Sequence, residues 1–162
     1  MSIKRVYLAS PLGFAQSTAS YMVDVVESLS SIVQVINPWD DQRFTADFEK
    51  LDKEDSWAVR ISRLAVINTE LGRSNTQSID QVDGLMAILD GVDVDSGTAS
   101  EIGYAFARGK RVYGLRTDFR LAGDNHGSIV NLQVQYFIEA SGGRIVTDLS
   151  ELVDCARSFA AE

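Results

Sequence analysis

The 162-residue sequence predicts an α/β fold, flavodoxin-like in outline: a central five-stranded parallel sheet flanked by helices, in a single domain over residues 1–162. Three observations predict it. Short apolar runs alternate with stretches of helical period along the whole chain, the pattern of βα units on a parallel sheet. One run, residues 85–89, is hydrophobic on both faces, as a fully buried parallel strand requires. No internal repeat, low-complexity tract or linker interrupts the alternation.

Taken in order, residues 6–9 read as the first strand, ending in the turn Ser10-Pro11-Leu12-Gly13. Residues 14–29 carry helical spacing, with Tyr21, Val25, Val26 and Leu29 on one face. Residues 32–36 give a second strand, stopped by Asn37-Pro38. Residues 44–70 form a long polar–apolar pattern through Phe48, Leu51, Trp57 and Leu64, read as one long or broken helix. Gly72-Arg73-Ser74-Asn75 is expected to break it, with Asn75 capping a short helix to residue 82. The third strand spans 85–89, and a helix over 99–108 follows, its opening near Ser96 or Gly97 and Gly109 at its C-cap. Residues 111–115 are the fourth strand, and the polar, Gly-bearing stretch 117–128 is a long loop and a candidate lid. A helix over 131–140, a short strand over 144–146 and a last helix over 149–160, capped by Asp148, complete the chain.

Composition excludes several kinds of chemistry. The net charge of −8 repels phosphate backbones, so neither nucleic acid nor an anionic membrane is an expected partner. The single cysteine, Cys155, permits no intrachain disulfide, fits a reducing cytoplasm and lies on an amphipathic stripe that suits packing. The basic N-terminus leads into an apolar run only a strand long, so no signal peptide or membrane span is expected. The one histidine, His126, sits in a polar loop, which disfavours a His-based metal site or a catalytic triad. Acid, base or nucleophilic work therefore falls to carboxylates. There is no G-x-G-x-x-G after the first strand and no Walker A lysine. Ser10, Gly13 and Phe14 in the first turn are candidates to shape a small-molecule pocket.

The segment after the third strand places Asp95 in a loop and Glu101 near the first turn of the following helix. Ligands in open α/β sheets sit beyond the carboxyl ends of the strands, so both carboxylates can face one crevice. The same residues fit a structural role: Thr98-Ala99-Ser100-Glu101 matches a capping box, and Asp90-Gly91 is a common turn pair.

Four segments in order resemble the nucleoside 2-deoxyribosyltransferase family. They are Val6-Tyr7-Leu8-Ala9-Ser10-Pro11, Pro38-Trp39-Asp40-Asp41-Gln42, the stretch from Leu89-Asp90-Gly91 through Asp95-Ser96-Gly97-Thr98 to Glu101-Ile102-Gly103-Tyr104-Ala105, and Asn131-Leu132-Gln133. The resemblance covers nearly the whole chain. It implies transfer of a 2′-deoxyribosyl group between nucleobases, with no cofactor, by a homo-oligomer (a dimer or hexamer). Its small-molecule partners are 2′-deoxynucleosides and free bases. By the same resemblance Glu101 is the nucleophile, Tyr7 its phenolic hydrogen-bond partner, and Asp95 the acceptor of the sugar 3′-hydroxyl. Asn131 matches an asparagine lent to the neighbouring subunit's site, Gln42 touches the base, Phe14 packs on it, and Gly97 belongs to the substrate-binding segment. Asn75 departs from the pattern, because family members carry an aspartate there. An amide hydrogen-bonds a base but does not protonate it, so the proton for the leaving base falls to another group such as Asp40, Asp41 or water, or the reaction relies on base tautomers. Asp83 reads as structural.

The chemistry is consistent with these residue types. A carboxylate can trap an oxocarbenium-like carbon as an ester that an acceptor then opens from the other face, giving net retention. Water in place of the acceptor gives hydrolysis. The alternatives are an N-glycosidase of nucleosides or their 5′-monophosphates, in which Asp95 would repel the phosphate dianion, and a nucleoside-binding module with no chemistry.

Overall fold

The alternation of apolar and helical stretches resolves into one sheet in the computed structural model, which describes residues 3–162. Its strands are β1 (Arg5–Ala9), β2 (Gln34–Ile36), β3 (Gly84–Ile88), β4 (Arg111–Leu115) and β5 (Ile145–Val146). They are all parallel, in the order β2-β1-β3-β4-β5. The helices are α1 (Ala19–Ser30), α2 (Thr45–Asp52), α3 (Trp57–Asp80), α4 (Ser96–Ala107), α5 (Leu132–Ala140) and α6 (Leu149–Ala160).

Period-two alternation divides the core. Val6, Leu8, Met86, Ile88 and Leu115 face Val25 and Leu29 of α1 and Leu152 and Phe159 of α6. Tyr7, Ala9, Leu85, Ala87 and Val112 face the other way, onto Ile79 of α3, Ile102 and Ala105 of α4, and Val134 and Ile138 of α5. The central strand β3 is buried at every position, which is why its sequence is apolar without alternation. This sidedness also turns Tyr7 toward α4.

Several boundaries differ from the sequence expectation. The first helix begins at Ala19 rather than residue 14, after two single 3₁₀ turns, Leu12–Phe14 and Gln16–Thr18. The Thr18 hydroxyl donates to the carbonyls of Leu12 and Ala15 and holds these turns together. Residues 32 and 33 lie outside β2, because both backbone N–H groups bond back to Leu29 O. The 44–70 helix is broken, but at residues 53–56, where Ser56 caps α3 by accepting from Val59 N–H. Gly72 does not break α3, and Asn75 caps nothing: both lie inside one helix that runs to Asp80. Gly72 costs the helix about 1 kcal/mol, and packing of Ile67, Ser74 and Ile79 on either side of it offsets that. Helix α4 opens at Ser96 and ends at Ala107, with Gly109 at φ +69° closing it. Asn131 stands just outside α5 as its N-cap, and Asp148 caps α6 through Glu151 N–H, as the sequence indicates.

Candidate active site

The order β2-β1-β3 reverses direction between β1 and β3, and the crevice at their carboxyl ends is the place where an open α/β sheet binds ligands. Tyr7 on β1 is fully buried. Its hydroxyl donates to Glu101 Oε1 at 2.7 Å. The side-chain amide of Asn75, on α3, donates to the same oxygen at 3.3 Å. The other carboxylate oxygen, Oε2, has no donor among the described residues.

Helix α4 explains how Glu101 is free to make these bonds. Its N-cap is Asp95, whose carboxylate accepts from Thr98 N–H at 2.9 Å. Thr98 is therefore inside the helix, and the capping box expected from Thr98 and Glu101 does not form. Glu101 falls in the second turn, beyond the reach of the helix dipole, which fades within the first. Burial pushes its carboxyl above the ordinary carboxylate value; the Tyr7 hydrogen bond opposes this, the Asp95 charge adds to it, and Asn75 opposes it too. Burial, then the charge and hydrogen bond of Glu101, push the Tyr7 phenol far up, so it keeps its proton and donates.

A cavity of about 320 Å³ opens beside these groups. Glu101, Asp95, Gly97 and Thr98 line it from α4 and its cap, Asn75 and Leu71 from α3, and Ser10, Phe14, Pro38 and Trp39 from the turns after β1 and β2. Phe14 and Trp39 meet edge to face, with ring centroids 4.7 Å apart. The Trp39 indole N–H donates to Ser10 O at 2.8 Å. Its ring lies so close on Gly13 that a Cβ there would stand 2.1 Å from Trp39 Cδ2. Gly13→Ala is therefore expected to push the indole away and to cost about 1–3 kcal/mol of stability, the usual range for overpacking. Urea denaturation and tryptophan emission would read the two effects.

The structure thus brings Tyr7, Asn75, Asp95, Gly97, Glu101 and Phe14 together. Three sequence candidates lie elsewhere. Asn131 caps α5, its Oδ1 accepting from Gln133 and Val134 N–H, and does not line the cavity. Gln42 is exposed on the 3₁₀ turn Gln42–Phe44, a turn fixed by Asp41, which accepts from the backbone and guanidinium of Arg43. Asp40 lines an adjoining hollow of about 280 Å³ with Asp41, Arg43 and Ser74, which shares Pro38 and Asn75 with the main cavity. Neither this turn nor the loop 117–130 contributes a wall to the Glu101 cavity. Trp39, Thr98 and Leu71 are walls that the sequence candidates omit. Trp39 carries a signal, an aromatic directly after the strand-stopping Asn37-Pro38; Leu71 carries none beyond helical period.

Asp83 is structural, accepting from Arg5 N–H at 2.7 Å. Cys155 is buried in the α6 packing. A larger hollow of about 540 Å³ between α2 and α3, lined by Leu51, Val66 and Ile67 with charged groups around them, shares no residue with the Glu101 cavity. Among the described residues no cluster of His, Cys, Asp and Glu could hold a metal ion, and no helix is long and apolar enough to cross a membrane.

Comparison with known proteins bears on the family and the fold. The family model for nucleoside 2-deoxyribosyltransferase matches residues 6–133, from Tyr7's strand through the start of α5. No curated protein matches the chain by sequence. Among solved structures, a conserved protein from Enterococcus faecalis V583 is similar at TM-score 0.66 and 26% identity, over 98% of this chain and 99% of that one. A 2-desoxiribosyltransferase from Leishmania mexicana is similar at TM-score 0.61 and 21% identity, over 93% and 97% of the two chains. A CMP N-glycosidase from Clostridium botulinum is similar at 0.56 and 20%, over 96% and 99%. At these identities the last two speak for the fold, while the family model spans the tyrosine, both carboxylates and the walls between them. The chain belongs to the nucleoside 2-deoxyribosyltransferase family.

Proposed function

We propose that the protein transfers a 2′-deoxyribosyl group from one nucleobase to another by a retaining double displacement through a glycosyl ester on Glu101. The observation that carries this reading is the convergence of Tyr7 and Asn75 on Glu101 Oε1, which leaves Oε2 without a donor among the described residues. Oε2 attacks the anomeric carbon as the bond to the base breaks, with the Oε1 donors fixing the plane of the carboxylate. An acceptor base then attacks the same carbon from the face the first base left, and Glu101 is released. Asp95, held at the helix cap, takes the sugar 3′-hydroxyl. Phe14 and Trp39 stack on the base. Asn131 caps α5 outside the cavity of its own protomer and completes the site only from a second copy.

A water molecule in place of the acceptor gives hydrolysis as a side reaction. A 5′-monophosphate is a poor substrate on charge grounds. Among the described residues two carboxylates and no Lys, Arg or His line the cavity, so a dianion finds repulsion and no partner.

Purified protein given 2′-deoxyinosine and adenine is expected to form 2′-deoxyadenosine, resolved by chromatography. Hypoxanthine without the new nucleoside would indicate a hydrolase. No turnover of 2′-deoxyinosine, thymidine, a deoxynucleoside 5′-monophosphate or a pyridinium 2′-deoxyriboside would overturn the enzyme reading in favour of a binding module.

A further inference from the structure

The cavity holds a nucleophile but no acid for the leaving base. Among the described residues, its ionisable lining consists of Asp95 and Glu101 alone. Glu101 is the attacking group, and Asp95 is spent on the α4 cap. Asn75, Ser10 and Thr98 are neutral, and Tyr7 holds its proton against Glu101. A neutral nucleoside needs a proton, or must shed an anion, when its C–N bond breaks. An aromatic base that is already cationic needs neither.

The walls favour such a base. Two carboxylates face a space without a single fixed cation, and Phe14 and Trp39 present aromatic surface at its mouth, with Phe14 76% exposed. A cationic ring gains from both. Arg43, which lines the adjoining hollow, is paired with Asp41. The cation's charge also offsets what raises the Glu101 carboxyl, and so favours the ionised nucleophile.

Building on the transferase reading above, we propose that the preferred donors are N-glycosides of cationic aromatic bases, such as pyridinium or N-alkylated purine nucleosides. In the first step the C1′–N electron pair passes to the ring nitrogen and the base leaves neutral, while Glu101 Oε2 forms the ester to C1′. No proton is transferred. In the second step the acceptor's ring nitrogen, or water, attacks C1′, Glu101 leaves as carboxylate, and the acceptor's proton passes to solvent.

The experiment compares two donors, 1-(2-deoxyribosyl)nicotinamide and 2′-deoxyinosine, with adenine as acceptor, in the wild type and in Asn75→Asp. The wild type is expected to show a kcat/KM for the pyridinium donor at least about 100-fold above that for 2′-deoxyinosine, the low end of what a general acid contributes. Asn75→Asp supplies a carboxyl beside Glu101 and is expected to narrow this ratio about 10-fold or more by raising the 2′-deoxyinosine rate. That change in ratio does not depend on the intrinsic reactivity of the two donors. Inhibition of the wild type by 1-methylnicotinamide, a cation of the same shape, is expected to exceed that by neutral nicotinamide about 5-fold or more. If 2′-deoxyinosine is turned over as fast as the pyridinium, or the two inhibitors bind equally, the preference for cations is overturned and the transferase reading stands. If neither donor reacts, the transferase reading falls and takes this one with it.

Discussion

Glu101→Gln is expected to lower base exchange by roughly 10⁴-fold or more, the scale seen when a covalent nucleophile is removed. The substitution suits the test because the amide oxygen of Gln still accepts from Tyr7 and Asn75, so the local packing is kept while the proposed nucleophile is lost. A transferase and a binding module then part company: the first loses turnover and retains nucleoside affinity, and the second loses nothing. The same variant makes a prediction about stability. Burial holds the Glu101 proton to higher pH in the folded protein than in the unfolded chain. The folded state therefore binds more protons than the unfolded one between the ordinary carboxylate value and the raised one, and stability falls as pH rises through that window. The uncharged amide of the variant carries no such penalty. The melting temperature of Glu101→Gln is expected to exceed that of the wild type at neutral pH, and the difference to vanish below the ordinary glutamate range. A thermal-shift series across pH reads this directly.

The second large effect is expected at Arg116, which follows β4 and is 3% exposed. Its guanidinium donates to the carbonyls of Leu89 and Gly91, at the exit of β3, and of Arg120, in the next loop. Asp90 works beside it, accepting from the backbone N–H groups of Thr117 and Asp118. Together they bind the segment that leads to Asp95 against the loop after β4. Arg116→Met keeps the aliphatic stem and removes every one of those donors, leaving the buried Leu89 carbonyl and the part-buried Gly91 and Arg120 carbonyls without them. A loss of about 3 kcal/mol is expected, since each orphaned buried acceptor costs about 1–3 kcal/mol and some find water. Arg116→Lys restores a single donor point and is expected to recover only part of this. Urea midpoints of the two variants, at unchanged slope, separate that ranking from a change in the unfolded state.

Elements with their own period or stop signals are legible in the sequence. β4 and α6 have the expected bounds, because an apolar run and an amphipathic stripe with a leading Asp148 leave little choice. The differences fall where two local signals compete or where distant packing decides. Asp95 and Thr98 are both good caps three residues apart, and the earlier one prevails through its bond to Thr98 N–H. Gly72 reads as a stop, yet nothing approaches its Cα within the reach of a side chain, and burial before and after it carries α3 through. That continuity changes what Asn75 is: an inward residue in the cavity wall, where its local sequence suggests a cap. The helical spacing takes in Phe14, which lies instead in a 3₁₀ turn that brings its ring onto Trp39. The contacts that make the site, Tyr7 and Asn75 with Glu101 and Trp39 with Gly13, join segments far apart in the chain, and no local pattern encodes them. Motif order points to the tyrosine and both carboxylates; the resemblance, and not the residues' spacing, places Gln42 and Asn131 beside them.

The bond from Tyr7 to Glu101 spans 94 residues, and β1 lies between β2 and β3. Strand β1 is therefore completed late. Its far edge stays unpaired until Gly84–Ile88 has emerged behind α3, and its inward tyrosine stays unmatched until α4 follows. Closing so long a loop adds little to the equilibrium cost, because loop entropy grows only with the logarithm of length. Its weight falls on time: non-local parallel pairing slows folding. Formation of the Tyr7–Glu101 bond during refolding then marks the end of assembly, after collapse and helix formation. A nascent or cleaved chain that stops before β3 carries an open strand edge, the template on which chains pair with one another instead of with themselves.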